Sequence, residues 1–151
     1  MSLIQAQELP ATDWDHARRM EQLSAAIARD LPSVDCPVKH YFAHGTYTRE
    51  MFIPAGTTVV GKIHRHSCIN ILSQGHIKVV TDEGEFELHA PHTRVSGPGV
   101  KKAVYAFTDC IWINVHPWEG EEDLELIEHE VIVPSYEALE QERRALLEED
   151  V

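Results

Sequence analysis

The sequence predicts an all-β core, a barrel or jelly roll, with one N-terminal and one C-terminal α-helix. Three observations predict it. Helical periodicity is confined to the two ends, short strands separated by Gly, Pro and Asp turns fill residues 41–117, and two histidines stand one residue apart inside that block. Many short strands at close spacing favour closure or a second sheet, because either arrangement deals with exposed strand edges.

The elements follow in order. Residues 12–30 open with a capping-box pattern, Thr12 and Asp15 three on, and place Trp14, Ala17, Met20, Leu23 and Ile27 at helical spacing, so this stripe is expected to pack. Pro32 and Pro37 then break the chain. Strands are predicted near 47–53, 57–66, 69–80, 85–89, 93–96, 103–108 and 110–116. Thr81-Asp82-Glu83-Gly84 reads as a hairpin, and Pro54-Ala-Gly56 and Gly97-Pro-Gly99 as tight turns. A final helix is predicted from Ser135 as N-cap to about Glu149, with Tyr136, Leu139 and Leu146 as its apolar stripe and Glu140–Arg144 as an i,i+4 pair.

At 151 residues and 43% hydrophobic content, residues 1–151 fit one domain with a single core. No stretch approaches the ~20 apolar residues of a membrane-spanning helix, and Met-Ser-Leu-Ile-Gln lacks the features of a signal peptide, so a cytoplasmic protein without a membrane partner is expected. Cys36, Cys68 and Cys110 form an odd, widely spaced set that reads as reduced thiols. The net charge of −12 sits almost entirely beyond Trp118, where thirteen acidic side chains face two arginines. Such a segment repels phosphate backbones, which argues against a nucleic-acid partner, and it otherwise reads as a solvated face.

His64 and His66 carry the sharpest chemistry. On an extended strand they would share a face, with Arg65 on the other, so one cation could touch both imidazoles. Metal sites normally draw three or more protein donors, and Cys68 and Asn70 are the next residues of that parity. The competing reading is a half-exposed polar strand whose histidines bond to water. Cys68 itself reads as a ligand, a nucleophile or a small buried side chain. His116 shares parity with Trp112 and Asn114, so it either completes a third nitrogen donor or packs under Trp118. His44, His89 and His92 lie at strand edges, His76 follows Gly75 at a corner, and His16, His40 and His129 fall outside the barrel motif.

These strands resemble single-domain cupins over about residues 41–117. Pro54-Ala-Gly56 leads into His64-Arg-His66, six residues separate Cys68 from Gly75, and Ser96-Gly-Pro98-Gly99 introduces a second motif strand. More narrowly, Ile69-Asn-Ile-Leu-Ser-Gln-Gly75, Pro98-Gly-Val-Lys-Lys102 and Trp112-Ile-Asn-Val-His116-Pro, followed by Asp123-Leu-Glu-Leu-Ile-Glu128, are similar to small cupins of tailed bacteriophages and prophages. The resemblance implies a cupin-type jelly-roll barrel with a ligand or metal in its mouth. In metal-binding cupins the first motif supplies two histidines and a glutamate and the second another histidine. Here the glutamate position falls on Cys68 and the last histidine near Lys101 or Lys102. Lys102 then anchors an anionic ligand, acts in acid–base chemistry, or is a solvated hairpin lysine.

The sequence therefore predicts a small-molecule or divalent-metal binding protein. The candidate metal ligands are His64, His66, Cys68 and His116, and Lys102 and Asn70 are candidates for ligand binding. Zn, Fe, Mn and Ni are all admissible. The alternative is a metal-dependent enzyme of oxygenase, isomerase or hydrolase type. A homodimer through the terminal helices and an exposed sheet edge is expected.

Overall fold

The computed structural model describes residues 8–149. Helix α1 (Trp14–Asp30) begins one residue later than predicted, because Asp13 is the N-cap: its side chain accepts from the Asp15 and His16 backbone N–H groups. Thr12 is used elsewhere, donating from its backbone N and its hydroxyl to Glu140. The expected stripe packs through Ala17 and Met20, whereas Trp14 is exposed.

Two sheets form the core. One has the order β1 (Val38–Ala43), β2 (Thr46–Ile53), β10 (Cys110–Pro117), β5 (Cys68–Gln74), β8 (His92–Ser96), and the other β3 (Thr58–Val60), β9 (Ala103–Ala106), β6 (His76–Thr81), β7 (Gly84–His89). Every pairing is antiparallel. Three departures from the predicted strands matter. β1 was not anticipated. The predicted strand 69–80 is two strands turning at Gly75, whose φ is +97° and where an added Cβ would lie 2.7 Å from the Cys110 Sγ. The predicted strand 57–66 is interrupted into β3 and the two-residue β4 (Ile63–His64).

The acidic C-terminal region folds back over the barrel. Asp123 caps helix α2 (Leu124–Val131), β11 (Ile132–Val133) pairs with β4 so that Ile132 stands opposite His64, and helix α3 (Tyr136–Glu149) follows with the Ser135 hydroxyl accepting from the Ala138 N–H. α2 too was not anticipated. Arg65 pins this segment: its guanidinium donates to both carboxylate oxygens of Glu142, at 3.0 and 2.9 Å, and to the backbone carbonyls of His129 and Glu130. The predicted Glu140–Arg144 pair is present at 3.6 Å, alongside a closer Glu140–Arg143 pair at 3.1 Å.

Strand register builds the barrel interior in layers. Tyr47 and His116 are cross-strand partners, and Cys68 pairs with Ser96. The next inward row runs His40, Arg49, Asn114, Asn70, Arg94 across the sheet, and the row after that contains Met51, Trp112 and Leu72. The first two rows are polar. Below them Ile53, Leu72, Ile77, Val79, Leu88, Ala106 and Cys110 close the core with Trp112.

Candidate functional site

The polar rows open into a cavity of about 410 Å³, lined by strands of both sheets and by α2. Its lining combines apolar side chains, Met51, Ile53, Val104, Trp112 and Ile127, with polar and charged ones, Arg49, Lys102, His64 and His116. Three donor atoms, from His64, Cys68 and His116, lie within 4.8 Å of one another. Cys68 and His116 are buried and His64 is half-buried.

Each member of this group is held by its own neighbours. The His64 backbone is fixed by β11 and by the Gly97-Pro-Gly99 turn, with the Gly99 N–H donating to the His64 carbonyl at 2.8 Å. The Cys68 Sγ lies 3.5 Å from His64 Nδ1, 3.4 Å from Ser96 Oγ and 3.3 Å from Asn70 Nδ2. The ring of His116 meets that of His64 edge-on at 5.2 Å and stacks on Tyr47, whose hydroxyl is 2.7 Å from His40 Nδ1. Asn70 donates to the Asn114 side-chain oxygen at 2.8 Å, while its own side-chain oxygen, fully buried, has no hydrogen-bond partner among the described residues.

The electrostatics keep the imidazoles neutral. Burial first, then the charge of Lys102, the neighbouring His116 and Arg49, push His64 down to about 3. Burial, Lys102, Arg49 and His66 push His116 down to about 4. Burial likewise lowers the Lys102 ammonium from its ordinary value, against an opposing pull from Cys68. Neutral imidazoles are the form that binds a metal ion. The 3.5 Å between the Cys68 Sγ and the His64 Nδ1 also matches the separation of roughly 3.5 Å that bonds of ~2.3 Å to sulfur and ~2.0 Å to nitrogen impose on two donors of a tetrahedral ion. The donor set therefore fits a metal ion in chemistry, and the Cys68–His64 pair fits it in spacing.

His66 does not join this group. β4 ends at His64, so the alternation that would put both rings on one face stops there, and the Arg65-His66-Ser67 bend directs the His66 ring to Glu130, with Nε2 3.8 Å from the carboxylate. Burial pushes His66 down, partly countered by Glu130. Lys102 lines the cavity, whereas Lys101 lies over the Tyr136 ring at 5.8 Å. His40, placed outside the motif by sequence, reaches the cavity from β1.

Sequence reasoning missed Arg49, Tyr47, Asn114 and Glu128. A signal existed for the first: in the predicted strand 47–53, Arg49 has the parity of Tyr47, Met51 and Ile53, a charge on an otherwise core-facing set. A second group of donors, His76, Glu87 and His89, lies on the outer face of the β6–β7 pair, where His76 Nε2 is 3.1 Å from Glu87 and its ring stacks on His89 and Phe107.

No protein-family model matches the sequence, and neither does any curated protein. Solved structures do match in fold. Ectoine synthase from P. lautus aligns with 70% of this chain and 79% of its own at 14% identity and a TM-score of 0.53. KdgF from Halomonas sp. aligns with 64% of this chain and 92% of its own at 17% identity and a TM-score of 0.50. A cupin-2 domain containing protein from Shewanella frigidimarina aligns with 64% of this chain and 92% of its own at 12% identity and a TM-score of 0.45. The chain has an all-β cupin fold flanked by helices, the β core being what the strand pattern predicted and the cupin type what the motif resemblance implied.

Proposed function

We propose that this chain is a cupin-like domain that binds a divalent metal ion through His64, Cys68 and His116 and a small molecule in the adjoining cavity. The observation that carries the reading is the convergence of three buried or half-buried donors within 4.8 Å beside a cavity of about 410 Å³. A thiolate with two imidazoles favours zinc over manganese, because soft donors suit the softer ion. Lys102 supplies positive charge and Asn70 a buried amide to the molecule or to the ring of residues around it. The motif resemblance to small phage and prophage cupins supports an accessory role for such a protein, and the open edges at β1 and β8 support a homodimer.

Metal analysis of the purified protein after zinc loading and desalting tests this. Close to one zinc per chain is expected in the wild type and in the His76→Ala variant, and a large loss in His64→Ala, Cys68→Ser and His116→Ala. Zinc retained in all three of the latter variants would overturn the metal assignment.

An enzymatic reading has one observation in its favour. Three protein donors would leave a bound metal ion open to a further ligand, and a partly buried lysine lines the adjoining cavity. A metal bound there would supply Lewis-acid polarisation, and Lys102 would be the proton-transferring group on the cavity wall.

A further inference from the structure

The cavity carries a charge imbalance that the metal reading does not use. Arg49 and Lys102 both line it. Neither guanidinium nor ammonium has a hydrogen bond or an ion pair among the described residues. The one carboxylate on the wall, Glu128, is engaged by Lys62. Both cations line the one cavity, so their charges act on one shared space. Glu128 is felt by Arg49, and Cys68 and Asp82 by Lys102, only through space and not in an ion pair. Half-buried cations without a paired counterion cost stability, and sites that tolerate the cost usually receive the counterion with a ligand.

The apolar part of the lining limits what that ligand is. Met51, Ile53, Val104, Trp112 and Ile127 offer only apolar surface, apart from the indole N–H, and a cavity of about 410 Å³ is of the size that takes a compact organic molecule. Arg49 presents a planar fork suited to a carboxylate, and Lys102 a point charge.

We infer that the barrel takes a compact carboxylic acid, its carboxylate gripped by Arg49 and Lys102 and its apolar body lying against Met51, Val104 and Trp112. This deepens the binding reading above and rests on the cavity being a ligand site, with or without the metal. A carboxylate there also offsets the repulsion between the two cations and a metal ion, so acid and metal bind with positive coupling, each raising the affinity of the other by the same factor.

Calorimetric titration of the full chain, with and without zinc, tests the inference with benzoate and hexanoate as acids and benzamide and hexanamide as their neutral counterparts. The acids are expected to bind at least tenfold more tightly than the amides. Arg49→Met and Lys102→Met should each weaken the acids by tenfold or more and the amides, which keep a carbonyl acceptor but carry no charge, by clearly less. Arg49→Lys should fall between, since it keeps the charge and loses the fork. Zinc content in Arg49→Met reports on the donors separately and is expected to persist. Equal affinity for acid and amide, no binding of either acid at millimolar concentration, or full acid affinity in a folded Arg49→Met would each overturn the inference. If zinc still binds in these cases, the metal reading stands and the ligand class alone fails. Failure of zinc, acids and amides together would remove both.

Discussion

The same strands line both ends of the barrel interior, yet the two ends do different work. Along β5 the inward residues run Cys68, Asn70, Leu72; along β10 they run His116, Asn114, Trp112, Cys110; along β2 they run Tyr47, Arg49, Met51, Ile53. Each series passes from polar to apolar in the same direction, so the register stacks polar rows at the mouth and aliphatic rows at the base. The base stabilises the fold by removing apolar surface from water. The mouth holds polar groups whose burial is unfavourable unless something binds, of which the unpartnered oxygen of Asn70 is one.

Truncation should separate the two ends most strongly. Leu72 is fully buried, and Leu72→Ala is expected to cost about 2–5 kcal/mol in chemical denaturation. Cys68→Ser, four residues away on the same strand and face, should cost about 1 kcal/mol while removing zinc. A comparable stability loss from both variants would break the division.

Of the two ends, acidity should weaken the mouth. The His64 and His116 imidazoles titrate at about 3 and about 4 in the fold against 6.5 when free. The unfolded chain therefore takes up these protons first as pH falls. The stability carried by the neutral rings is complete above about pH 6.5 and is lost through the window down to about pH 4 and 3, at up to about 1.4 kcal/mol per pH unit for each ring. Thermal melts of metal-free protein should show this slope, and His116→Ala should reduce it. An unchanged slope in that variant would remove His116 as a source.

Extending the apolar end into the mouth sharpens the comparison further. Asn70→Leu alone strands the Asn114 oxygen it now satisfies and should cost about 1–3 kcal/mol, whereas Asn70→Leu with Asn114→Leu should return to within about 1 kcal/mol of the wild type and abolish acid binding. A double variant no more stable than the single would mean that the amide pair contributes to the fold itself. The smallest effect belongs outside the barrel, where Glu87→Ala removes an exposed partner of His76 and should change stability by less than about 1 kcal/mol.

The sequence was most readable where local periodicity and local chemistry agree. Ala17 and Met20 mark a one-faced helix, although its cap is Asp13 and not the expected Thr12, and Asp82-Glu83-Gly84 closes the β6–β7 hairpin, both elements readable from neighbours alone. β1 escaped because Lys39, His40 and Tyr41 carry no alternation strong enough to outweigh the prolines before them. α2 escaped because eight residues rich in glutamate read as a solvated run until Ile127 and Val131 find the barrel mouth to pack on.

Taken alone, the sequence determined that strands fill the middle of the chain, that Cys68 and Asn70 share a face, and that histidines and a thiol lie close enough along the chain to suggest a metal. Only the tertiary structure decided which histidines meet. His64 and His66 are two residues apart, but a strand that stops at His64 sends them to different neighbours, whereas His116, fifty-two residues on, arrives beside Cys68 through the pairing of β10 with β5. Periodicity fixes the face of a side chain only while the backbone stays extended. Where the strand ends, and which strand lies beside it, is set by hydrogen bonds and packing between segments distant along the chain.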